Sequence, residues 1–377
     1  MNAKTFQPPQ RILLGPGPSN VHPGVLEAMS RPTIGHLDPE FIELMDEIKS
    51  LLRYTFQTKN ELTFPVSGPG SVGMETCLVN LVEPGSKVVV CINGVFGGRM
   101  KDIVERCNAT PIVVEDSWGT AVSSQKLEDA LKKNNDVKTV AFVHAETSTG
   151  ALSNIKELSE IAHKYDCLTI ADTVTSLGGV PVKIDEWDID VSYSGTQKCL
   201  SCPPGLSPVT FNDRALNFIK NRKTKVQSWF MDINLIINYW SGGSKRSYHH
   251  TAPINSLYGL HEALLLMKEE GLENSWKRHK EVSQYFVNEL EKINLKPYVK
   301  ENARIPELVA VEIPNGVDDA KVRSYLLNEF GIEIGAGLGP LSGKIWRIGL
   351  MGYSCTKENA DKCITALKLA CRQAGML

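Results

Sequence analysis

From about residue 60 to 215, short apolar runs alternate with amphipathic stretches, and this alternation restricts the possible folds more than any other feature. Val88–Ile92, Pro111–Val114, Thr139–Val143 and Leu168–Ala171 are brief and rich in β-branched residues. Continuous apolar runs of that length suit strands covered on both faces. Between them, segments such as Ile155–Tyr165 repeat apolar residues at helical spacing. The pattern predicts an α/β domain with a mainly parallel sheet. Asp38 before Pro39 reads as a helix start, with Phe41, Leu44, Met45, Ile48 and Leu52 along one face. A chain of 377 residues has room for a second domain. Leu257–Gly271 reads as a long helix closed by glycine, and the domain change is placed just after it. From about Glu273, long helical segments surround a few short strands and end in a helix starting near Thr356, an α+β pattern.

Composition removes several function classes. Lys and Arg number 41 against 43 Asp and Glu, a net charge of -2, so neither a basic surface for nucleic acid nor an acidic tail is expected. No apolar run approaches the roughly 18 residues of a membrane span. Met1–Gln10 holds one lysine and no apolar core, unlike a secretory leader. Gly375-Met376-Leu377 is a poor match to a peroxisomal Ser-Lys-Leu ending, so a cytoplasmic location is expected ahead of a peroxisomal one. The nine cysteines are odd in number and scattered, which favours reduced thiols. Cys199-Leu200-Ser201-Cys202 has neither a second such motif nor a suitable histidine pair, so no metal site is expected.

Two residues point to a chemistry. Asp172 directly follows the apolar run Thr169-Ile170-Ala171, and functional groups of open α/β sheets gather at carboxyl ends of strands. Lys198 follows 26 residues later, in Tyr193-Ser-Gly-Thr-Gln-Lys198, where small neighbours leave room for a planar ring. An aspartate can hold a pyridine nitrogen protonated, and a lysine can hold an aldehyde as a Schiff base. Together they suggest pyridoxal 5'-phosphate (PLP). Each alone has a plainer reading, a loop aspartate or a solvated lysine. Gly68-Pro-Gly-Ser-Val-Gly73 precedes a helical pattern over 73–82, where backbone N–H groups suit a phosphate. It also matches the dinucleotide fingerprint formally, so an NAD-dependent oxidoreductase is the alternative from another class. That reading wants an acidic residue about 20 positions on, at the next strand end; Lys87–Ile92 is followed by Asn93, and Pro65 interrupts the preceding strand. Arg347, alternating on a strand-like stretch, suits either a substrate carboxylate or a structural ion pair. His249 and His250, if on a strand, would point opposite ways, against a metal site.

The chain resembles the class V, fold-type I PLP aminotransferases, and within them the alanine–glyoxylate / serine–pyruvate group. The matching segments run from Leu14-Gly-Pro-Gly-Pro-Ser-Asn20 through Ser148-Thr-Gly150, Ser176-Leu-Gly-Gly179, Ser194-Gly-Thr-Gln-Lys198, Tyr248-His-His-Thr251 and Gly337-Leu-Gly-Pro340 to Arg347-Ile-Gly-Leu-Met-Gly352. The resemblance implies a large domain, residues 21–272, with a seven-stranded mainly parallel sheet. It also implies a small α+β domain, residues 273–377, and an arm, residues 1–20, laid over a second subunit of a homodimer. Lys198 would be the Schiff-base lysine and Asp172 the partner of the ring nitrogen. Gly70, Ser71 and Gln197 would cradle the phosphate, with Tyr248 and Thr251 reaching over from the second subunit. Phe96 would stack on the ring, Thr147 would lie beside it, and Arg347 would bind the substrate carboxylate. Gly35 and His36 would enter the neighbour's pocket.

The implied reaction moves an amino group from alanine or serine to glyoxylate or pyruvate. Serine–glyoxylate and 3-hydroxykynurenine transaminases are the alternatives within the group. Relatives carry Trp where this chain has Phe96, several have His for Ser71 and Ser for Thr147, and the kynurenine enzymes carry Ser-Asn for Gly35-His36. Cysteine desulfurases place His before the lysine and a cysteine before the arginine motif, whereas Gln197 stands here and no cysteine lies between Cys202 and Cys355.

Overall fold

The computed structural model describes residues 4–241 and 246–373; the C-terminal Gly375-Met376-Leu377 lies outside them. The apolar runs become strands of one seven-stranded sheet. They are β1 (Leu62–Ser67), β2 (Lys87–Ile92), β3 (Thr110–Glu115), β4 (Thr139–Val143), β5 (Leu168–Asp172), β6 (Val191–Tyr193) and β7 (Leu206–Phe211). Their order across the sheet is β1-β7-β6-β5-β4-β2-β3. Every pairing from β6 to β3 is parallel, and only β7 runs against its two neighbours. The chain is thus α/β, with a mainly parallel mixed sheet flanked by helices. Pro65 sits inside β1 without harm because β1 is an edge strand, where one row of N–H groups needs no partner.

Helix α1 (Pro39–Phe56) starts as expected, with the Asp38 side chain accepting from Glu40 N. Helix α2 spans Gly70–Leu81, beginning three residues before the expected start. Gly73 therefore lies in its first turn, and a Cβ there would meet Ser207 Oγ at 1.9 Å. The missing side chain lets α2 press against β7. Helix α3 (Val95–Arg106) follows β2. The long α4 (Ile254–Glu270) and α5 (Leu272–Lys292) meet at Gly271, whose φ of 80° suits glycine.

One apolar cluster packs helices on the main sheet, and its last member along the chain is Leu272 at the start of α5. Phe286, Val287 and Leu290, farther along α5, belong to a second cluster with Trp346, Ile348 and the C-terminal helix α6 (Lys357–Gln373). A small antiparallel sheet runs through this second body in the order β8-β10-β9. Its strands are β8 (Leu308–Glu312), β9 (Gly335–Ala336) and β10 (Ile345–Gly349). Residues from about 12 to 20 run along their own chain. Ile12 pairs with Ile332, Gly349 N donates to Leu14 O at 2.8 Å, and Ser19 N donates to Gln197 O at 2.9 Å. Residues 4–10 are exposed. Among the described residues, no helix is long and apolar enough to cross a membrane. All nine cysteines are buried free thiols.

Candidate active site

The carboxyl ends of β2, β4, β5 and β6 open on one edge of the sheet, and the chemistry gathers there. Asp172 closes β5 and is buried. Its Oδ1 accepts from Val174 N at 2.8 Å and its Oδ2 from the Tyr193 hydroxyl at 2.7 Å. Burial pushes its carboxyl up to about 6; the two donors oppose that shift, while the charge of Glu146 adds to it. Lys198 lies beyond β6 on a short irregular loop and is likewise buried. Its Nζ donates to the carbonyl of Pro16. Desolvation brings its amine down to about 8, and the cation of Arg347 acts in the same direction. Ser19 Oγ donates to Lys198 O at 2.8 Å. Gly17 has a φ of 108°, and a Cβ there would lie 2.5 Å from Nζ. Only glycine lets the N-terminal segment pass so close to the amine.

Arg347 comes from the middle strand of the small sheet, opposite Ala310 and Gly335. Its Nε donates to Ala336 O at 2.7 Å and its Nη1 to Thr147 O at 3.3 Å. No carboxylate among the described residues pairs with it, so the structural ion pair is not formed. Burial lowers its guanidinium to about 10, and Glu146 opposes that shift. Thr147 is buried and touches Arg347 through its carbonyl.

The glycine loop adjoins this group. A Cβ on Gly70 would lie 3.4 Å from Val174 Cγ2 and 3.7 Å from Gly195 Cα, between the Asp172 turn and the Lys198 loop. No side chain caps the start of α2, so the N–H groups of Gly70 and Ser71 remain available, while Val72 N donates to Pro69 O at 2.7 Å. Ser71 Oγ accepts from Arg99 Nη1 at 3.1 Å, and the Arg99 guanidinium lies 4.9 Å from the centre of the Phe96 ring. Gln197 Oε1 is buried without a hydrogen-bond partner. The dinucleotide alternative fails on topology: β1 pairs only with the antiparallel β7, whereas that fingerprint joins neighbouring parallel strands.

Four expected residues stand apart. Tyr248 and Thr251 are exposed, as is Gly35, and His36 packs its ring 5.5 Å from Tyr248. No hydrogen bond among the described residues joins any of them to Asp172 or Lys198. His249 and His250 are not on a strand; their Nδ1 atoms lie 2.8 Å apart, and His250 Nε2 bonds Ser67 Oγ at 2.8 Å. Among the described residues, no cluster of potential metal ligands occurs.

Glu146 and Tyr193 escaped the sequence reading. Glu146 is fully buried beyond β4, its Oε1 accepting from Ser148 N and Oγ and its Oε2 from Phe96 N at 3.1 Å. Desolvation raises its carboxyl, and the Ser148, Phe96 and Gly97 donors resist that. A Cβ on Gly94 would meet Glu146 Cδ at 2.4 Å, so Gly94 makes room for it. Its position just past a predicted strand was the available signal.

Comparisons with known proteins place the chain in a family. The family model "Aminotransferase class-V" matches residues 13–359. Alanine–glyoxylate aminotransferase from Rattus norvegicus is 44% identical over 98% of this chain and 89% of its own. (S)-Ureidoglycine–glyoxylate transaminase from Bacillus subtilis is 39% identical over 93% of this chain and 88% of its own. Among solved structures, alanine–glyoxylate aminotransferase from Nostoc sp. superposes with a TM-score of 0.96 at 47% identity, covering 98% of this chain and 97% of that one.

Proposed function

The chain belongs to the class-V aminotransferases and is a transaminase, and from that premise we propose that it moves the amino group of alanine or serine to glyoxylate or pyruvate. The observation that carries this reading is that Asp172 and an unpaired Arg347 both lie close enough to Lys198 to shift its amine, with Arg347 reaching Thr147 O just beyond β4. The alanine–glyoxylate enzymes, similar over nearly the whole chain, support alanine and glyoxylate as substrates.

The residues present fit PLP. The open start of α2 with Gly70 and Ser71 suits a phosphate, and the Gln197 side-chain amide could add an N–H donor there. Asp172 offers a buried acid for a ring nitrogen, Phe96 a half-buried aromatic face, and Thr147 a place beside the ring. When bound, the cofactor supplies the electron sink that takes up the charge developing at the substrate Cα. Asp172 holds the proton on the ring nitrogen. Lys198 Nζ would take the proton from the donor's Cα and, in the second half-reaction, deliver a proton to the Cα of the acceptor. Arg347 Nη atoms grip the substrate carboxylate, orienting the Cα–H bond toward that amine. Donor and acceptor enter in turn, in a ping-pong cycle.

A donor–acceptor screen tests the substrate choice. Alanine or serine with glyoxylate should give the highest kcat/KM. Preference for 3-hydroxykynurenine or (S)-ureidoglycine by a wide margin would overturn it.

Residues 21–272 are read as the cofactor-holding domain and 273–377 as the domain carrying Arg347. The exposed Tyr248, Thr251, Gly35 and residues 4–10 suit contact with a second copy, so the active form is read as a homodimer with shared sites. Mixing Lys198→Ala subunits with Tyr248→Ala/Thr251→Ala subunits should then restore activity, because each mixed dimer holds one intact site. Mixtures no more active than either parent would rule shared sites out.

A further inference from the structure

We propose that Tyr193 is a positioning residue for the transamination, its hydroxyl fixing the direction of the Asp172 carboxylate and holding it as the anion. The inference rests on the proposed pairing of Asp172 with the cofactor's ring nitrogen.

The sheet brings the two residues together. β5 and β6 are parallel neighbours in a register that sets Asp172 opposite Tyr193, each at its strand end. Thr173 N donates to Tyr193 O at 2.9 Å, continuing the ladder past the last pair. Tyr193 is fully buried beneath the first turn of α2, where a Cβ on Gly73 would lie 3.3 Å from Tyr193 Cβ. Its hydroxyl has one partner among the described residues, Asp172 Oδ2 at 2.7 Å. A phenylalanine would fill nearly the same volume, so the oxygen is not needed for packing. What it adds is a donor aimed at a carboxylate that water does not reach.

Asp172 needs that donor. With Val174 N on Oδ1 and Tyr193 on Oδ2, each oxygen is held by one hydrogen bond, and the carboxylate plane is fixed. The titratable groups that act on Asp172 and Tyr193 are Glu146, Cys77 and Lys198. Cys77 is a buried thiol whose pKa lies well above its usual value, and it gives no compensating positive charge. Glu146 disfavours the anion and Lys198 favours it, the latter as the weakest of the named influences. A donor to the charged form lowers a carboxyl pKa, so removing the hydroxyl raises it. Asp172 then becomes neutral at a pH where the native residue is still an anion. A neutral acid gives a protonated ring nitrogen no countercharge.

The test uses Tyr193→Phe and measures PLP affinity of the apoprotein as a function of pH, by absorbance titration. In the native protein, affinity should fall as pH drops through about 6. In Tyr193→Phe the midpoint should move up by roughly one pH unit, the effect of one hydrogen bond to a charged group. Between the two midpoints PLP should then bind up to about tenfold more weakly. Site-specific 3-fluorotyrosine at 193, a stronger donor of nearly the same size, should move the midpoint down; it remains informative if the phenylalanine variant does not fold. Asp172→Asn should abolish the step near pH 6, leaving only the dependence that the Lys198 amine imposes near 8. A midpoint unmoved in both position-193 variants, with the step near pH 6 lost in Asp172→Asn, overturns the role of Tyr193. An Asp172→Asn protein that binds PLP with native affinity and native pH dependence instead overturns the pairing of Asp172 with the ring nitrogen.

Discussion

Lys198→Ala should lower turnover by about 10⁴-fold while leaving a folded protein. The lysine is asked to do two things, to anchor the cofactor and to carry the Cα proton, and alanine does neither. The structural cost is smaller. Nζ donates to the carbonyl of Pro16, and its loss leaves that acceptor without this partner, a penalty of about 1–3 kcal/mol. Steady-state kinetics and thermal melting separate the two effects. A small primary amine added to the variant should recover part of the rate, because the missing group is only an amine at that point. Turnover within tenfold of the native enzyme would sink the assignment.

Arg347→Ala should reduce kcat/KM for amino acid donors by roughly 10²–10³-fold, chiefly through KM. Nε and Nη1 are committed to the carbonyls of Ala336 and Thr147, which aim the rest of the guanidinium without neutralising it. Among the described residues no carboxylate pairs with it, so the proposed substrate carboxylate would meet no competitor. Arg347→Lys should recover little, since a point charge does not reproduce the planar fork. Amines without a carboxylate should lose little in the variant. A KM unchanged for alanine, with a fall confined to kcat, would mean that Arg347 serves something other than carboxylate binding.

Much of this arrangement was legible in the sequence, for reasons that differ from residue to residue. The strands were readable because parallel strands buried on both faces are continuously apolar. Asp172 stood out because it ends such a run, and Lys198 because small residues surround it. The start of α2 was misplaced because glycines have low helix propensity, and only packing on Ser207 shows why Gly73 belongs inside the first turn. Glu146 and Tyr193 were not readable as site residues. A glutamate and a tyrosine near strand ends are common, and their meaning comes from burial and from partners distant in sequence. Tyr248, Thr251 and Gly35 are a different case: the roles expected of them lie against a second copy, and the single chain leaves them at its surface.

The path of residues 12–20 turns the N-terminal stretch into a tie rod. At one end it is bolted to the small sheet, through Gly349 N to Leu14 O; at the other it reaches the lysine loop through Pro16 and Ser19. Both anchor points adjoin working side chains, since Gly349 shares a strand with Arg347 and Pro16 touches Lys198 itself. The same stretch thereby ties the strand of Arg347 to the loop of Lys198. One extra residue between Leu14 and Ser19 adds up to about 3.5 Å of slack, enough to loosen the tie between Arg347 and Lys198.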